Sequence, residues 1–363
     1  MPKKRALPDV GIISATVILL VIGIVMVFSA SSVSSLAEHR DPYFYLKRQL
    51  LWAGLGLMSM VVLSHIDYHI FQRLAWPAVL SCILLLIVVL VIGPVVGGSR
   101  RWIPLGFFNV QPSELAKLGV IFYIAAFCSR KRGNLRSFWY GFVPPLLVIG
   151  LTFLLILAEP DFGTGVALFM TSMLMLFAAG AQIKHLLLVG AAAIPPLVAL
   201  IYLAPYRLRR LMAFVDPWAD PLDSGWNIIQ SLLAIGSGGF FGVGLGQGKE
   251  KYLYLPEAHT DFIFAVLAEE LGFLGAGLVV VLFFYFAWRG LKVALHAPDY
   301  FGTLLAVGIT SMVAFQALIN IGVVTGSLPV TGITLPLISF GGSSLLITLT
   351  GIGILLNISR WQR

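Results

Sequence analysis

The chain has little charge, only two cysteines and no cofactor motif. Charged residues make up 11% of its 363 residues, whereas a soluble globular domain carries about 25%. Cys82 and Cys128 lie within or at the edge of apolar segments and form neither a disulfide framework nor a metal-binding pattern. The glycine-rich stretch 236–248, GSGGFFGVGLGQG, lacks the Lys-Ser/Thr pair of a P-loop and predicts a tight, closely packed loop. These shortages argue against a soluble protein and against nucleotide chemistry.

Apolar sequence dominates instead, at 59% of the chain. A barrel would show alternating segments of about ten residues, which are absent here. Helices satisfy their own backbone polar groups in lipid, so we predict an all-α polytopic membrane protein. Runs near or above the roughly 20 residues that cross a bilayer predict about ten transmembrane helices, at 10–32, 49–66, 76–97, 113–129, 138–158, 163–181, 185–204, 260–287, 302–324 and 332–358. The first lacks a small-residue cleavage site and is predicted to be a retained span.

Positive charges predict the orientation of this bundle, because short basic loops mark the cytoplasmic side. With ten spans, one side would hold Lys3, Lys4, Arg5, Arg130, Lys131, Arg132, Arg136, Arg289, Lys292, Arg360 and Arg363. Both termini are therefore predicted to be cytoplasmic. These loops face anionic lipid and account for much of the net charge of +8, so no nucleic-acid binding is predicted. The opposite side holds five arginines against the trend, either by chance or for a function: Arg100, Arg101, Arg207, Arg209 and Arg210.

One connection is much longer than the others. We expect residues 1–363 to form a single transmembrane domain, with 205–259 as an extracytoplasmic loop between helices seven and eight. Loops of that length without a function are uncommon. Within it, 226–235 has the pattern of a short amphipathic helix that lies at the membrane interface, and two Asp-Pro turn signals, at 216–217 and 220–221, precede this segment. The outer surface is therefore predicted to carry a lid or platform.

An acidic residue lies where this loop meets the next helix, in the sequence PEAHTDFIF at 256–264. A carboxylate beside lipid is costly, so Asp261 is predicted to have a task. On a helix over 260–287, Ala265, Ala268 and Gly272 fall within about 40° of the line below Asp261. Small residues permit either close helix packing or a groove for a lipid tail, and the stripe alone favours packing. Glu269 and Glu270 are expected near the interface, because this segment exceeds the length needed to cross.

Two further polar clusters lie at predicted helix ends. Glu114 and Lys117 are three residues apart and predict an ion pair, which is either a structural pin or part of a substrate site. Asp161 either caps helix six or belongs to the site. Arginine forks suit phosphates, and Arg207 and Arg210 begin the long loop. Together these residues predict a site on the outer face for an anionic, lipid-linked substrate.

Five motifs closely resemble the SEDS family (shape, elongation, division and sporulation): RRWIPLGFFNVQPSELAKL, EPDFGTG, PYRLRRLMAFVDPWADP, YLPEAHTDFIFAVLAEELGFLG and GSLPVTGITLPLISFGGSS. The resemblance covers nearly the whole chain, and YLPEAHTDFIFA and VTGITLP look more like the FtsW and SpoVE branch than like RodA. It implies a peptidoglycan glycosyltransferase of the bacterial cytoplasmic membrane. Such an enzyme polymerises lipid II together with a class B penicillin-binding protein, in cell division, sporulation or shape maintenance.

The resemblance also implies roles for individual residues. Asp261 matches the essential acidic residue of the TDFIFA motif and would act as the base in an inverting displacement. The leaving pyrophosphate would be stabilised by Arg207 and Arg210 or by a divalent metal ion, Mg or Mn. Glu114 and Lys117 match a pair that shapes the central cavity. The remaining predicted substrate contacts lie in matched motifs: Asp161, Arg101 and Ser343.

Two other functions stay open from the sequence. A lipid II flippase would need a polar path through the whole membrane, whereas acids and arginines gather here toward one face, which favours catalysis. A scaffold that only recruits a class B penicillin-binding protein would tolerate Asp261→Asn. The retained acidic residue argues against a scaffold.

Overall fold

Long apolar helices form most of the computed structural model. The structure describes residues 7–95, 98–106, 108–132, 135, 137–202, 205–249 and 255–361. Predictions that fall outside these residues concern Lys3, Lys4, Arg5, Arg136, Arg363, 96–97, 203–204 and 250–254. In chain order the helices are α1 (Val10–His39), α2 (Phe44–His65), α3 (His69–Ile92), α4 (Pro112–Arg130), α5 (Val143–Ala158), α6 (Phe162–Ala178), α7 (Ile183–Tyr202), α8 (Pro205–Val215), α9 (Trp226–Gly238), α10 (Ile263–Leu295), α11 (Tyr300–Val324) and α12 (Gly342–Ser359).

Short elements complete this order. A hairpin of β1 (Ile103–Leu105) and β2 (Phe108–Val110) precedes α4, with Ile103 opposite Val110. A π-helical turn, Phe138–Phe142, leads into α5, and a 3₁₀ turn, Pro217–Ala219, follows α8. The hairpin lies between the predicted spans 76–97 and 113–129, and α8 lies within the predicted loop 205–259.

Eight helices among the described residues are long and apolar enough to cross a membrane, namely α1, α2, α3, α4, α5 with its preceding turn, α10, α11 and α12. The shorter apolar helices α6 and α7 match the other two predicted spans. The predicted all-α polytopic class is thereby confirmed. In α4 and α12, 83% of the apolar stretch is buried, against 22% in α2. The bundle is therefore built around α4 and α12, together with the mostly buried α11.

The last predicted span starts too early. Helix α12 begins at Gly342, so residues 332–341 of the predicted 332–358 are not helical. Pro336 cannot donate a backbone hydrogen bond and disfavours a helical residue before it. The segment is apolar because Leu335, Leu337 and Ile338 are buried inside the protein. Burial among helices, and not contact with lipid, explains this part of the apolar run.

Helix α10 is broken at Gly272, whose φ of 67° and ψ of −167° are not helical. The glycine-rich loop fills this break: the Val243 amide donates to the Glu269 carbonyl over 3.0 Å, and the Phe273 amide donates to the Gly239 carbonyl over 2.9 Å. A Cβ on Gly242 would lie 2.2 Å from the Glu270 carbonyl oxygen, so only glycine permits this approach. The predicted tight, closely packed loop is confirmed from Gly239 onward, whereas residues 236–238 form the end of α9.

Helix α9 confirms the predicted short helix, and one of its faces packs against α10 and α11. The Ser231 hydroxyl donates to the Val324 carbonyl over 2.6 Å. A Cβ on Gly238 would lie 2.1 Å from the Ala268 carbonyl oxygen. The stripe of small residues on α10 therefore permits helix packing, which is the interpretation that the sequence favoured over a lipid groove.

Glu269 and Glu270, which were predicted to lie near the membrane interface, are buried inside the protein. Their side chains are only 2% and 1% exposed. The backbone amide of Lys249 donates to Glu269 over 2.6 Å, and the Ser29 hydroxyl donates to Glu270 over 2.7 Å. Because α10 is broken nearby, the glycine-rich loop and α1 can supply these donors inside the bundle.

Candidate active site

Asp261 lies in the turn directly before α10, and its backbone is held from two sides. The Asn320 amide of α11 donates to the carbonyls of Asp261 and Ile333, over 2.7 Å in each case. The Ser339 hydroxyl donates to the Thr260 carbonyl over 2.6 Å. One carboxylate oxygen of Asp261 lies 3.3 Å from the position of a Cβ on Gly332. The turn is thus fixed between α11 and the segment 331–341.

Four charged side chains act on the Asp261 carboxyl. Its side chain is partly exposed, yet burial is the main cause that raises the pKa of Asp261 to about 7. The negative charges of Glu257 and Asp161 raise this pKa further, in that order. The positive charges of Arg101 and Arg210 lower it. The structure therefore brings three of the predicted site residues close to Asp261, from elements far apart in the chain.

Asp161 caps α6, and its carboxylate also faces the start of α4. One oxygen of its carboxylate accepts from the Thr164 amide over 3.2 Å, as an N-cap does. The other accepts from the Gln111 side chain over 2.9 Å and from the Ser113 hydroxyl over 3.3 Å. The predicted cap is confirmed, and the cap leaves the second oxygen facing other side chains.

Arg101 and Glu159 border the same region. The Arg101 guanidinium donates to the Glu159 carbonyl over 2.8 Å and also to the Pro160 carbonyl. In the described part of the chain, the Glu159 carboxyl is buried and both of its oxygens lack a hydrogen-bond partner. Burial first, and then the charge of Asp161, raises the pKa of Glu159 to about 9, so this carboxyl is neutral at pH 7.

A cleft opens beside these carboxyls and is lined by two arginines of α8. It is open to solvent and is lined by Pro160, Phe162, Tyr206, Arg207, Arg210, Leu211, Pro329, Val330 and Thr331. Arg207 and Arg210 are three residues apart on one helix and therefore point into the same cleft. Arg209 does not line it and has its nearest carboxylate, Asp223, at 4.0 Å. The three-residue spacing of Arg207 and Arg210, typical of one helix face, is the sequence signal that could have predicted α8.

The predicted ion pair of Glu114 and Lys117 is present and buried. The Lys117 ammonium lies 2.9 Å from the Glu114 carboxylate and donates to the Gln316 side chain over 2.6 Å. The Gln316 amide in turn donates to the Thr334 carbonyl over 3.0 Å and to the Ser344 hydroxyl over 3.2 Å. Thr334 belongs to the segment 331–341, so the ion pair is linked to the segment that packs against the Asp261 turn.

Ser343 lies at the start of α12 and joins the hairpin to the site. Its hydroxyl donates to the backbone carbonyl of Asn109 over 3.0 Å and accepts from the backbone amide of Gln111 over 3.2 Å. Ser343 is not among the residues that line the arginine cleft. It instead positions Gln111, the residue that donates to Asp161.

Sequence reasoning did not assign Asn320 or Glu159 to the site. Asn320 is 1% exposed and Glu159 is fully buried. A polar side chain inside an apolar helix, as at Asn320, is the signal that could have identified the first. Within the residues described, no group of three His, Cys, Asp or Glu side chains could hold a metal ion.

Comparison with known proteins identifies the family. The family model for the cell cycle proteins FtsW, RodA and SpoVE matches residues 11–363. The chain is 48% identical to stage V sporulation protein E of Bacillus subtilis strain 168 and covers 100% of both chains. It is 45% identical to a probable peptidoglycan glycosyltransferase FtsW of Geobacter sp. strain M18, with 98% of this chain and 97% of that protein covered.

Two solved structures resemble the whole chain. One, from a study of how a peptidoglycan synthase complex coordinates polymerization and crosslinking, has a TM-score of 0.79 at 31% identity and covers 97% of this chain and 98% of the other. The rod shape determining protein RodA of Thermus thermophilus has a TM-score of 0.73 at 31% identity, with 98% of both chains covered. As its motifs predicted, the chain belongs to the FtsW/RodA/SpoVE family of cell cycle proteins, multi-pass proteins of the cytoplasmic membrane.

Proposed function

We propose that this chain is an inverting peptidoglycan glycosyltransferase that polymerises lipid II on the outer face of the cytoplasmic membrane. One observation carries the proposal: a fixed carboxylate, Asp261, whose pKa is raised to about 7, lies close to Arg210, which lines the adjacent cleft. Relatives named probable peptidoglycan glycosyltransferase FtsW support the reaction class. The resemblance to a chain of a peptidoglycan synthase complex supports a class B penicillin-binding protein as partner.

The chemistry is a single displacement at the anomeric carbon of one sugar. The 4-hydroxyl of a second sugar attacks this carbon, a new carbon–oxygen bond forms, and the bond to the lipid pyrophosphate breaks. Asp261 accepts the hydroxyl proton as the attack proceeds, and a base with a pKa near the working pH suits this step. Because the donor linkage is α and the product is β, one displacement accounts for the inversion.

The leaving group is a lipid pyrophosphate, and its charge grows as the bond breaks. Arg207 and Arg210 line the cleft beside Asp261 and present planar donor groups that fit phosphate oxygens. A divalent ion, Mg or Mn, is the alternative source of this positive charge. The described residues offer no three-ligand metal site, so no step is assigned to a metal. Loss of activity in EDTA and its return with Mg²⁺ would transfer the role to an ion held by the substrate.

The remaining predicted residues position these groups. Asp161 holds Gln111 and Ser113 at the start of α4, and Arg101 holds the carbonyl of Glu159. The Glu114–Lys117 pair supports the segment 331–341 through Gln316. We assign all of these residues to the shape and charge of the substrate cavity and not to proton transfer.

The proposal is tested in vesicles that contain the purified protein, its class B partner and lipid II labelled with a fluorophore. A polymerase forms glycan strands from lipid II that it reaches from its outer face, with no transfer of lipid II between leaflets. A transporter moves labelled lipid II to the other leaflet and forms no strands. Accelerated transfer without strands would replace the polymerase proposal by the flippase function.

Removal of both cleft arginines is expected to slow strand formation strongly. Arg207→Ala/Arg210→Ala should lower kcat/KM for lipid II by about 100-fold, the order of effect seen when a donor to a developing negative charge is lost. Arg209→Ala is the control for loss of a positive charge from the same helix outside the cleft, and it removes one charge where the double variant removes two. It should stay within about twofold of wild type. Equal losses in both variants would mean that the cleft does not bind the pyrophosphate.

The polymerisation rate is expected to rise with pH through about pH 7. Asp261 must be deprotonated to act as a base, and its pKa is raised to about 7, so the rate falls as the pH drops below that value. Glu257→Gln removes a negative charge that raises this pKa, and should therefore shift the midpoint toward lower pH. Initial rates between pH 5.5 and 8.5, about one and a half units on either side of that pKa, measure both curves. A flat wild-type curve would exclude Asp261 as the base.

A further inference from the structure

A second cleft lies between α3 and α4, at the end of the bundle opposite to Asp261. It is open to its surroundings and is lined by Trp76, Tyr123, Ala126, Phe127, Arg130 and Lys131. Helix α4 begins beside Asp161 and has 19 residues, which span about 28 Å at 1.5 Å per residue. That length is close to the hydrocarbon thickness of a bilayer, about 30 Å. The basic end of this cleft therefore lies at the opposite membrane interface.

The inner part of the cleft is aromatic and apolar. The rings of Trp76 and Tyr123 meet edge to face, with centroids 5.0 Å apart. Tyr123 is 2% exposed and forms the floor, whereas Trp76 is 49% exposed and forms an open wall. Trp and Tyr are enriched where protein meets the polar border of the bilayer. The surface between these rings fits an acyl chain better than it fits water.

The mouth of the cleft carries two positive charges, and no carboxylate among the described residues pairs with either. The Arg130 guanidinium donates to the Gln72 carbonyl over 3.4 Å, and the Lys131 ammonium donates to the Tyr140 carbonyl over 3.5 Å. Both contacts are long and use one donor each. Among the described residues, no ion pair includes Arg130 or Lys131.

The acidic residues at this end of the bundle have partners elsewhere. Asp67 and Asp299 both lie close to His69, at 2.7 and 3.2 Å, and Asp9 pairs with Arg289. The charge at the mouth is therefore available to an anion. Basic pockets between transmembrane helices on the cytoplasmic side bind the head groups of anionic lipids.

We propose that this cleft binds an anionic phospholipid of the surrounding bilayer, with its phosphate between Arg130 and Lys131 and one acyl chain against Trp76 and Tyr123. A soluble phosphate would contact only the mouth and leave the aromatic floor uncovered. The proposal does not depend on the polymerase function, because its site and its readout are separate from the Asp261 region.

Native mass spectrometry of the purified protein tests the proposal, with dioleoylphosphatidylglycerol or dioleoylphosphatidylcholine added in the same detergent. Wild type should retain phosphatidylglycerol in preference to phosphatidylcholine. Arg130→Gln/Lys131→Gln should weaken phosphatidylglycerol binding by roughly tenfold, since each basic residue near an anionic head group contributes to binding. Unchanged lipid binding in this variant would overturn the proposal.

Two control variants separate the site from general charge and from folding. Lys184→Ala/Lys292→Ala removes the same charge from exposed residues outside the cleft, and should keep lipid binding. Arg130→Lys/Lys131→Arg keeps the charge and should also keep binding, which shows that the mouth tolerates substitution. An equal loss in the first control, or displacement of the lipid by millimolar inorganic phosphate, would contradict a phospholipid site.

Discussion

Asp261→Asn is expected to lower the rate of strand formation from lipid II by about 10²- to 10⁴-fold, the contribution of a positioned general base. Asparagine has nearly the shape of aspartate, and Asn320 holds the backbone carbonyl of residue 261 and not its side chain. The turn should therefore stay in place, and the loss should appear in kcat with little change in KM for lipid II.

The matched control for this variant is Glu257→Gln. Glu257 lies in the same turn, is exposed, and accepts from the Thr260 hydroxyl over 2.7 Å, a contact that glutamine retains. Above about pH 8, where Asp261 is deprotonated in both proteins, Glu257→Gln should polymerise lipid II at close to the wild-type rate. A loss in Glu257→Gln as large as in Asp261→Asn would show that any neutral substitution in this turn disrupts the site.

Lys117→Met is expected to lower the free energy of unfolding by about 3–5 kcal/mol, the cost of leaving a buried carboxylate without its partner. Glu114 and Lys117 are only 3% and 2% exposed, so water cannot replace the lost ammonium. The substitution also removes the donor to Gln316, which supports the segment 331–341. Unfolding of the purified protein in detergent, followed by circular dichroism against temperature, measures the loss.

The double variant Glu114→Leu/Lys117→Met distinguishes the ion pair from the packing of the lysine side chain. Replacing a whole buried ion pair by apolar residues is often neutral or stabilising, so the double variant should recover most of the stability lost in Lys117→Met. If the double variant is less stable than the single variant, the cost arises from packing or from Gln316 and not from an unpaired Glu114.

Apolar runs were sufficient to predict most of the helices. The predicted 113–129 and 302–324 differ from the observed Pro112–Arg130 and Tyr300–Val324 by at most two residues at either end. The same rule placed α12 ten residues too early, because a buried loop and a lipid-facing helix have the same composition. Local chemistry, here Pro336, had to decide between them. The break in α10 was also hidden, since it depends on the approach of a distant glycine-rich loop.

The candidate site was only partly accessible to sequence reasoning. Asp261, the Glu114–Lys117 spacing and Asp161 each carry a local signal, namely a charge at a helix border. The convergence of Arg101, Arg210 and Asp161 on one carboxylate is set by tertiary packing, which no local pattern encodes.

Strand formation from purified lipid II, by this protein and a class B partner in detergent with no other glycosyltransferase present, tests the central claim most directly. The proposed function predicts long glycan strands with the wild-type chain and none with the partner alone. No product longer than lipid II, from protein that is folded and bound to its partner, would contradict the claim and leave transport or scaffolding as the function.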